Sequence, residues 1–321
     1  MTSIERSVCL GFLACAFASA GSVLAHNGWP FDLLAQFQAQ IALSSLLLLV
    51  LLCVFRRWGL ALVAGFLFAF SVWKMDIGSN TRFAAASTSA DAAVKVVTAN
   101  LFGRSGALDR LSKVHGREEF DLLVLTELPV AADDALLSRF PDMTHIAGTP
   151  RQALFGLPSA VILSRSPPQH VEILRVNENP SAITKARYCF ESQANCLTTF
   201  AIHPLPPITP SLYERQKAIL EEVARQLQET DGAALVAGDF NAVSWSPLMT
   251  AFRRRGDVRK VACGARWSPT WLAPFPGVGL ELDHIFVNGG VMKETCEVGA
   301  FLWSDHWPVI SELVLIEPGA D

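Results

Sequence analysis

Three apolar runs near the N-terminus constrain this chain more than any other feature of its sequence. Residues 8–25, 34–55 and 58–73 contain no Lys, Arg, Asp or Glu. Each run approaches or reaches the roughly 20 residues that a helix needs to cross a bilayer. The apolar excess behind the positive mean hydropathy of the chain, +0.32, lies in these runs. The pattern predicts a membrane region over residues 1–75 with three transmembrane helices.

Basic residues beside these runs predict their orientation. Arg6 precedes the first run, and Arg56 and Arg57 separate the second from the third, whereas residues 26–32 contain no Lys or Arg. The positive-inside rule places the N-terminus and the Arg56 turn in the cytoplasm, so the rest of the chain lies outside it. The first run also has features of a cleavable leader, with small residues near Ala25. Either interpretation predicts an integral protein of the inner or cell membrane with a periplasmic or extracellular domain.

The remaining chain has the pattern of one α/β domain. Residues 76–93 are small and polar and indicate a linker, residues 94–316 form the predicted domain, and residues 317–321 form a tail. Short runs rich in Val, Ile, Leu, Phe and Thr, bounded by turn formers, predict strands. Helical patterns lie between some of them; in residues 213–229 the apolar positions Ile219, Leu220, Val223 and Leu227 share one face.

Four cysteines lie in the predicted domain, at positions 189, 196, 263 and 296. An even number in an exported domain permits three pairings. Cys189 and Cys196 flank a polar "ESQAN" segment typical of a hairpin turn, so we predict that they meet across two strands. The alternative is four unpaired, mostly buried thiols.

The charge balance bears on the substrate. The chain has 26 basic and 30 acidic residues, of which four basic and three acidic ones precede residue 77, leaving 22 against 27 in the exported part. A protein that holds long duplex DNA without sequence preference usually presents a basic face. The acidic balance therefore argues against that class of protein, whereas short or single-stranded fragments stay open.

Polar side chains stand at the ends of several predicted strands. They are acids, amides and imidazoles, at Asn100, Glu127, His203, Asp239, Asn241, Asp283, Asp305 and His306. Taken singly, each also fits a structural role such as a turn or a satisfied core histidine. Together they predict one cleft, because strand ends are where a rigid sheet holds a site. Asp305 and His306 are adjacent, so both can join it only from a loop, and Pro308 favours one there. His284 should point away from its neighbour Asp283.

These residues resemble the metal-dependent endonuclease/exonuclease/phosphatase superfamily. The resemblance rests on the motifs "TANL", "LTE", "GDFN", "LDHIFV" and "SDHWPV", together with His203, in the family's order. It covers about residues 94–315, and the apolar runs make the chain similar to a bacterial-type membrane-anchored member. The resemblance implies a four-layer αββα sandwich, in which two packed β-sheets are flanked by helices and the site lies at one end between the sheets.

The resemblance also implies the role of each residue. Glu127 would be the principal metal ligand, with Asn100 and Asp305 near the metal. Asp239 would orient or deprotonate the attacking water, Asn241 would bind phosphate, His203 and His306 would stabilise the transition state, and Asp283 would hold His306. The implied cofactor is Mg²⁺, with Mn²⁺ as a substitute. Arg165 is a further candidate phosphate contact.

The side-chain chemistry agrees with these roles. Hydrolysis of a phosphodiester needs charge neutralisation, an aligned water and positive donors around the phosphoryl oxygens. A hard cation prefers the carboxylate and amide oxygens that Glu127, Asp305 and Asn100 offer. A carboxylate behind a histidine fixes its tautomer and raises its pKa.

The predicted function is hydrolysis of phosphoesters by a membrane-anchored, Mg²⁺-dependent nuclease, phosphodiesterase or phosphatase. Its partners would be a phosphoester substrate and the lipid bilayer around its N-terminal helices. The substrate is a nucleic acid fragment or, alternatively, a phospholipid or lipid-linked phosphodiester, since tethering concentrates membrane-borne substrates. A non-catalytic binding domain is the alternative of a different class, and the loss of an essential position would favour it.

Overall fold

The computed structural model describes residues 3–79, 93–115, 120–129, 136–148, 160–190, 196–264, 267–275 and 278–316. The helices are α1 Ser3–Val23, α2 Phe31–Ala35, α3 Gln38–Val54, α4 Trp58–Ser79, α5 Ser105–His115, α6 Leu136–Arg139, α7 Pro210–Gln228 and α8 Pro247–Gly256. The strands are β1 Ala93–Asn100, β2 Leu122–Thr126, β3 His145–Ala147, β4 Ala160–Ser164, β5 His170–Arg175, β6 Ala182–Cys189, β7 Cys196–Ile202, β8 Ala233–Asp239, β9 Arg259–Lys260, β10 Asp283–Val287, β11 Val291–Val298 and β12 Val309–Leu315.

The apolar N-terminal runs form packed helices. By length and composition, two of the described helices could cross a membrane, over Leu10–Asn27 and Trp58–Met75. The second predicted span is shorter than residues 34–55, because α2 takes its first residues and α3 has only 17. At 1.5 Å per residue α3 is about 26 Å long, a little less than the roughly 30 Å hydrocarbon core. Helix α4 continues to Ser79, beyond the predicted end of the third span, and residues 80–92 of the predicted linker lie outside the described residues.

Two mixed six-stranded sheets form the centre of the C-terminal domain. Their strand orders are β11-β12-β1-β2-β4-β3 and β5-β6-β7-β8-β10-β9. Each sheet contains one parallel pair, β1 with β2 and β7 with β8. The C-terminal ends of the two strands in each pair therefore lie side by side. The inner faces of the two sheets pack against each other through a buried apolar cluster that includes Val96, Val124, Leu235 and Ile285.

Helices cover the outer faces of both sheets. Residues at odd positions of β1 and β2, such as Val97 and Leu123, pack with Leu108 and Leu111 of α5. On the other sheet Val236 and Phe286 pack with α7 and α8. The predicted αββα sandwich is therefore confirmed. The apolar pattern of residues 213–229 corresponds to the buried face of α7.

Two disulfides link strands or segments of the domain. Cys189 and Cys196 are cross-strand neighbours in the antiparallel β6–β7 pair and are joined by a disulfide. Cys263 and Cys296 form a second disulfide. The first disulfide confirms the pairing that the hairpin spacing predicts. The second joins two cysteines for which the sequence predicts no partner.

The segment between α1 and α3 contacts the domain directly. The buried Asp32 carboxylate accepts a hydrogen bond from the backbone N–H of Leu248 at the start of α8, at 3.2 Å. The Trp245 indole donates to the Ala35 carbonyl oxygen at 3.0 Å. Met75, near the end of α4, packs against the apolar cluster around Trp245 and Leu282. The helices and the sandwich therefore share a packed interface.

Candidate active site

The alternation of side chains along the strands explains why the polar residues converge. Asp239 follows Leu235 and Ala237 on the inner face of β8, and Asp283 precedes Ile285 on the inner face of β10. The inner faces of β1 and β7 lead in the same way to Asn100 and His203. Because side chains repeat with a period of two, the residues that end these inner series enter the space between the sheets.

Gly238, in the "GDFN" motif, allows the strand to approach its neighbour. Its φ is +141°, and a Cβ there would lie 2.0 Å from the carbonyl oxygen of Ile202 on β7. Only glycine avoids both the backbone penalty and that clash. The Phe240 ring after Asp239 points to the outer face and packs edge-on against Phe286. Asp239 is thereby held at the mouth of a rigid, closely packed strand pair.

Two carboxylates and an imidazole form the first half of the site. Asp239 and Asp283 are directly paired across the antiparallel β8–β10 ladder. His306 Nδ1 donates to Asp283 Oδ2 at 2.7 Å, which leaves Nε2 3.9 Å from Asp239 Oδ2. All three side chains are buried. The Asp283 carboxylate therefore fixes the imidazole so that Nε2 faces Asp239.

Glu127 and Asn100 form the second half. The Asn100 amide nitrogen donates to Glu127 Oε1 and to Asp239 Oδ2, both at 2.9 Å, so one side chain links the two halves. His203 Nε2 lies 3.4 Å from Glu127 Oε1 and 3.6 Å from Asp239 Oδ2. The Glu127 side chain is 35% exposed, whereas His203 is buried. Glu127 also has a left-handed backbone, with φ +48°. Such strain in a non-glycine residue is concentrated at functional sites.

Asn241 completes a turn beside Asp239. Its backbone N–H donates to Asp239 Oδ1 at 2.8 Å, and its amide nitrogen donates to the Pro204 carbonyl oxygen at 3.0 Å. The Asx turn that the sequence suggested as a structural role is therefore present, and it lies within the site. The structural role is therefore confirmed for Asp239 and Asn241, and it is compatible with the predicted functional role.

Asp305 and His306 lie in a loop before β12, as their adjacency requires. The Asp305 carboxylate accepts a hydrogen bond from the Trp271 indole at 3.3 Å, and the backbone N–H of His306 donates to Ser304 Oγ at 3.1 Å. Ser304 Oγ also donates to the Asn100 carbonyl oxygen at 2.8 Å. The loop is thus fastened to the end of β1, and it brings His306 into the cleft.

Arg165 is not part of this site. It follows β4, which runs antiparallel to β2 with Leu122 opposite Ser164. The Arg165 backbone N–H accordingly bonds to Asp121, at the end of β2 remote from Glu127. Arg165 as a phosphate contact was wrong, because the direction of β4 places it at the opposite edge of the sheet. His284, as expected, points away and donates to the Ala242 carbonyl oxygen on the outer face.

Several residues that support the site had no role in the sequence prediction. Thr270 Oγ1 accepts the backbone N–H groups of Leu282 and Asp283, both at 3.0 Å. Gln216 donates from its side chain to the carbonyl oxygens of Phe240 and Asn241. Gln216 lies one turn before Ile219 and Leu220 on the buried face of α7. A polar residue on that apolar face was the signal that could have identified it.

Burial and charge shift the pKa values of three groups in the cluster. Burial raises the pKa of Asp239 to about 6, against the opposing effect of the histidine charges. Burial lowers the pKa of His306, but the Asp283 and Asp239 carboxylates outweigh it and raise the value to about 10. Burial also works against ionisation of Glu127, yet hydrogen bonding to His203 and Asn100 lowers its pKa below the usual value. At neutral pH the site therefore holds an ionised Glu127, a protonated His306 and an Asp239 that titrates near neutrality.

Two groups of ligand atoms could hold a cation. Atoms of Glu127, His203 and Asp239 lie within 4.8 Å of one another, as do atoms of Asp239, Asp283 and His306. Carboxylate oxygens at the cleft mouth suit a hard divalent cation, and the partial exposure of Glu127 gives it access. Glu127 in the first group is the better centre for a divalent cation, because His306 in the second group is protonated and hydrogen-bonded to Asp283.

Comparisons with known proteins identify a matching family and similar folds. The model of the Endonuclease/Exonuclease/phosphatase family matches residues 97–306. No curated protein matches the sequence. An endonuclease/exonuclease/phosphatase structure from Bacteroides vulgatus is 18% identical, with a TM-score of 0.58 over 70% of this chain and 100% of that one.

Two further solved structures have the same fold, and their descriptions name different substrates or products. D. rerio TDP2 complexed with single strand DNA product is 18% identical, with a TM-score of 0.56 over 70% of this chain and 100% of that chain. Sphingomyelinase C from Streptomyces griseocarneus is 16% identical, with a TM-score of 0.53 over 69% of this chain and 99% of that chain.

Proposed function

The chain belongs to the Endonuclease/Exonuclease/phosphatase family, whose members are metal-dependent enzymes that hydrolyse phosphoesters, and from this premise we propose that it is a membrane-anchored, Mg²⁺-dependent phosphoester hydrolase acting outside the cytoplasm. One observation carries the proposal. The ends of β7, β8 and β10, the residue after β2 and the loop before β12 bring His203, Asp239, Asp283, Glu127 and His306 to one cleft, with the ligand atoms of each triad within 4.8 Å.

Glu127 would hold the cation, with Asp305 and Asn100 nearby. In this structure Asn100 turns its amide nitrogen to Glu127, and its Oδ1 accepts the Phe102 N–H, so Asn100 would contribute an oxygen only after its amide turns over. When bound, a divalent cation neutralises phosphate charge and polarises a phosphoryl oxygen. Mn²⁺ would serve in place of Mg²⁺, since both accept carboxylate oxygen. The Glu127 carboxylate suits this role because it stays ionised, as its lowered pKa indicates, and because it is the most exposed acid of the cluster's triads.

Asp239 would take the proton of the attacking water. A general base works best with a pKa near the operating pH, and burial brings the pKa of Asp239 to about 6. The Asn100 amide and the Asn241 backbone N–H hold its two oxygens in place. Asn241 would contact the phosphate from the same turn.

The two histidines would donate to the phosphoryl oxygens. His306 is protonated at neutral pH and directs Nε2 into the cleft, because Asp283 accepts its Nδ1 proton. His203 directs Nε2 towards the same space from β7. Donors positioned before the reaction stabilise the charge that develops on the phosphoryl group.

Membrane anchoring and export rest on the N-terminal helices. Two of them are long and apolar enough to cross a bilayer, and the Arg56–Arg57 pair lies at the opposite end of the helices from the domain. Two disulfides in the domain agree with an oxidising compartment. An alkaline phosphatase fusion after Asp321 should be active in intact cells. A fusion that is expressed at full length but inactive would overturn the orientation, because the enzyme needs disulfides that do not form in the cytoplasm.

A substrate panel tests the catalytic proposal. The purified full chain should hydrolyse bis(4-nitrophenyl) phosphate in Mg²⁺, and the panel adds 4-nitrophenyl phosphate, a single-stranded oligonucleotide, a phosphoinositide and sphingomyelin. Glu127→Ala and His306→Ala should both abolish activity, while Glu172→Ala on the partly exposed strand β5 serves as the matched control. Activity that survives both site substitutions would refute the assignment. A wild-type chain that is inactive on the whole panel would favour the non-catalytic binding domain.

A further inference from the structure

One rim of the cleft touches the first turn of the apolar helix α3. The side chain of Gln40, in the first turn of α3, donates to the carbonyl oxygens of Val278 and Gly279 at 2.8 and 2.9 Å. If α3 lies in the bilayer, its first turn lies at the outer surface, because the Arg56 turn at its other end is the cytoplasmic one. The backbone at Val278 therefore lies at the level of the lipid headgroups.

The same rim contacts the catalytic loop. Leu280 pairs with Trp271, whose indole donates to the Asp305 carboxylate at 3.3 Å. The backbone N–H of Ala273 donates to the Asp305 carbonyl oxygen at 2.8 Å. Trp271 also forms a bridge with His306. The backbone of residues 278–280 and the Trp271 indole thus lie between α3 and Asp305.

The rim is apolar where it faces solvent. Phe275 is 64% exposed and Val278 is 46% exposed, which is costly for large apolar side chains in water. Exposed aromatic residues also stand at this end of the helices, at Trp29, Phe37 and Trp73. Aromatic side chains at one level on a membrane protein mark the headgroup region. Val278 lies beside this end of the helices, because its carbonyl oxygen accepts from Gln40, and its backbone N–H donates to the Phe275 carbonyl oxygen at 3.1 Å.

Hydrogen bonds fix the orientation of the domain relative to the N-terminal helices. The Asp32 carboxylate on Leu248 and the Trp245 indole on Ala35 fasten the α1–α3 segment to α8 and to the turn before it. These contacts lie on the domain side of the helices, as the Gln40 contact does. The sandwich therefore cannot rotate freely on the linker, and the Phe275 rim keeps facing the bilayer.

From this arrangement we propose that the cleft works at the bilayer surface and that its substrate is the phosphoester of a lipid headgroup in the same membrane. The inference rests on the proposed hydrolase function and names its substrate class. An apolar rim accommodates acyl chains and the interface, whereas a nucleic acid would need basic residues along its path. The exported part of the chain has more acidic than basic residues, which favours the lipid.

Proteoliposomes containing the full chain test this proposal. The vesicles combine phosphatidylcholine, phosphatidylethanolamine and phosphatidylglycerol, and ³¹P NMR follows headgroup cleavage. Bis(4-nitrophenyl) phosphate and a single-stranded oligonucleotide are assayed in parallel with the same preparation. The double variant Phe275→Ser/Val278→Ser removes the apolar rim, and Val171→Ser, 40% exposed on the far edge strand β5, is the matched control.

The lipid should be cleaved, and the double variant should lower lipid kcat/KM about tenfold because the lost apolar contact weakens engagement of the interface. Hydrolysis of the soluble diester should be unchanged in the double variant, and Val171→Ser should leave both rates unchanged. Cleavage of the diester or the oligonucleotide with intact lipid would overturn the inference and leave the hydrolase function standing. Lipid cleavage unaffected by the double variant would overturn it as well. A chain inactive on all three substrates would refute the hydrolase function itself.

Discussion

Two buried groups of charged side chains lie close together and differ in their balance of positive and negative charge. One is an ion pair in the second sheet, and the other is the proposed active-site cluster between the sheets. Lys260 on β9 and Glu281, just before β10, form an ion pair in which both side chains are only 6% exposed. Lys260 also bonds to Ser244 Oγ at 3.4 Å. One cation meets one anion there, and the pair is shielded from water.

The proposed active-site cluster includes Asp283, two residues after Glu281, and has no such balance. The carboxylates of Glu127, Asp239 and Asp283 outnumber the imidazoles of His203 and His306, and the cluster opens to the cleft through Glu127. Closely spaced like charges are expensive to bury unless a proton or a cation joins them. The contrast teaches that each member of the ion pair needs its partner inside the protein, and it supports our proposal that the cluster receives a ligand.

The largest effect should come from removing the base. Asp239→Asn keeps the shape but not the proton acceptor, so kcat/KM for bis(4-nitrophenyl) phosphate should fall about 10²–10⁴-fold. The melting temperature should stay the same or rise, because a buried carboxylate is removed. Initial rates and differential scanning fluorimetry in detergent measure both quantities. A variant that unfolds while its folded fraction keeps the wild-type rate would reverse our distinction between the two groups.

The ion pair should give the opposite pattern. Lys260→Met leaves the Glu281 carboxylate buried without its cation and should lower the free energy of unfolding by about 3–5 kcal/mol. The rate per folded molecule should be unchanged. The double variant Lys260→Met/Glu281→Leu should recover most of the stability, because an apolar pair needs no counter-charge. Urea titration monitored by fluorescence gives the free energies, and a stable single variant would contradict this account.

Much of the fold and of the candidate site was readable from the sequence. The strands, the amphipathic helix α7 and the polar strand ends follow from local pattern, because side chains alternate along a strand and apolar faces repeat along a helix. The positions from Asn100 to His306 were assembled into one cleft because polar side chains end several predicted strands, and the resemblance to a known family then implied a role for each. Taken singly, Asn100 or His203 fits a turn or core role as well.

The errors came from properties that local pattern does not contain. Arg165 follows an apolar run as Asp239 does, but β4 runs the other way, and strand direction is a property of the whole sheet. The Lys260–Glu281 pair joins residues 21 positions apart, and neither has a local signal. Similarly, no spacing rule predicts that Asp32 reaches Leu248 across 216 residues.

Asp283 should have a smaller effect than Asp239 because it acts through His306. Asp283→Asn removes the carboxylate that orients the imidazole, and loss of such an outer partner typically costs about 10–100-fold in activity. Asp283→Glu, which keeps the charge, should recover part of the rate. The kcat of both variants on the soluble diester is the measurement. Equal rates for the wild type and Asp283→Asn would show that His306 needs no orientation.

Asp32 offers the smallest and most pH-dependent effect. Burial raises its pKa from 3.8 to about 6, against the lowering effect of the Leu248 hydrogen bond and Lys74. The folded chain therefore binds the proton more tightly than the unfolded chain, and this contribution to stability is lost as the pH rises from about 4 through about 6. At pH 7.5 the buried charge is a cost that a neutral side chain avoids.

Asp32→Asn should accordingly raise the free energy of unfolding at pH 7.5 by roughly 1–2 kcal/mol, less than the full shift, because the new amide nitrogen lacks a partner. The difference from the wild type should vanish near pH 4. Melting curves from pH 4 to pH 8 measure it. A destabilised Asp32→Asn variant at pH 7.5 would show that the ionised carboxylate is required for docking.

The most direct test of the central claim is a Mg²⁺ titration of the hydrolysis rate. The full chain, stripped with a chelator, should be inactive on bis(4-nitrophenyl) phosphate and should gain a saturable rate as Mg²⁺ is added. Glu127→Gln, which has nearly the same shape, should remain folded and gain little or no rate at the same Mg²⁺ concentrations. A wild-type rate that persists in chelator, or a Glu127→Gln curve identical to that of the wild type, would contradict a metal-dependent site built around Glu127.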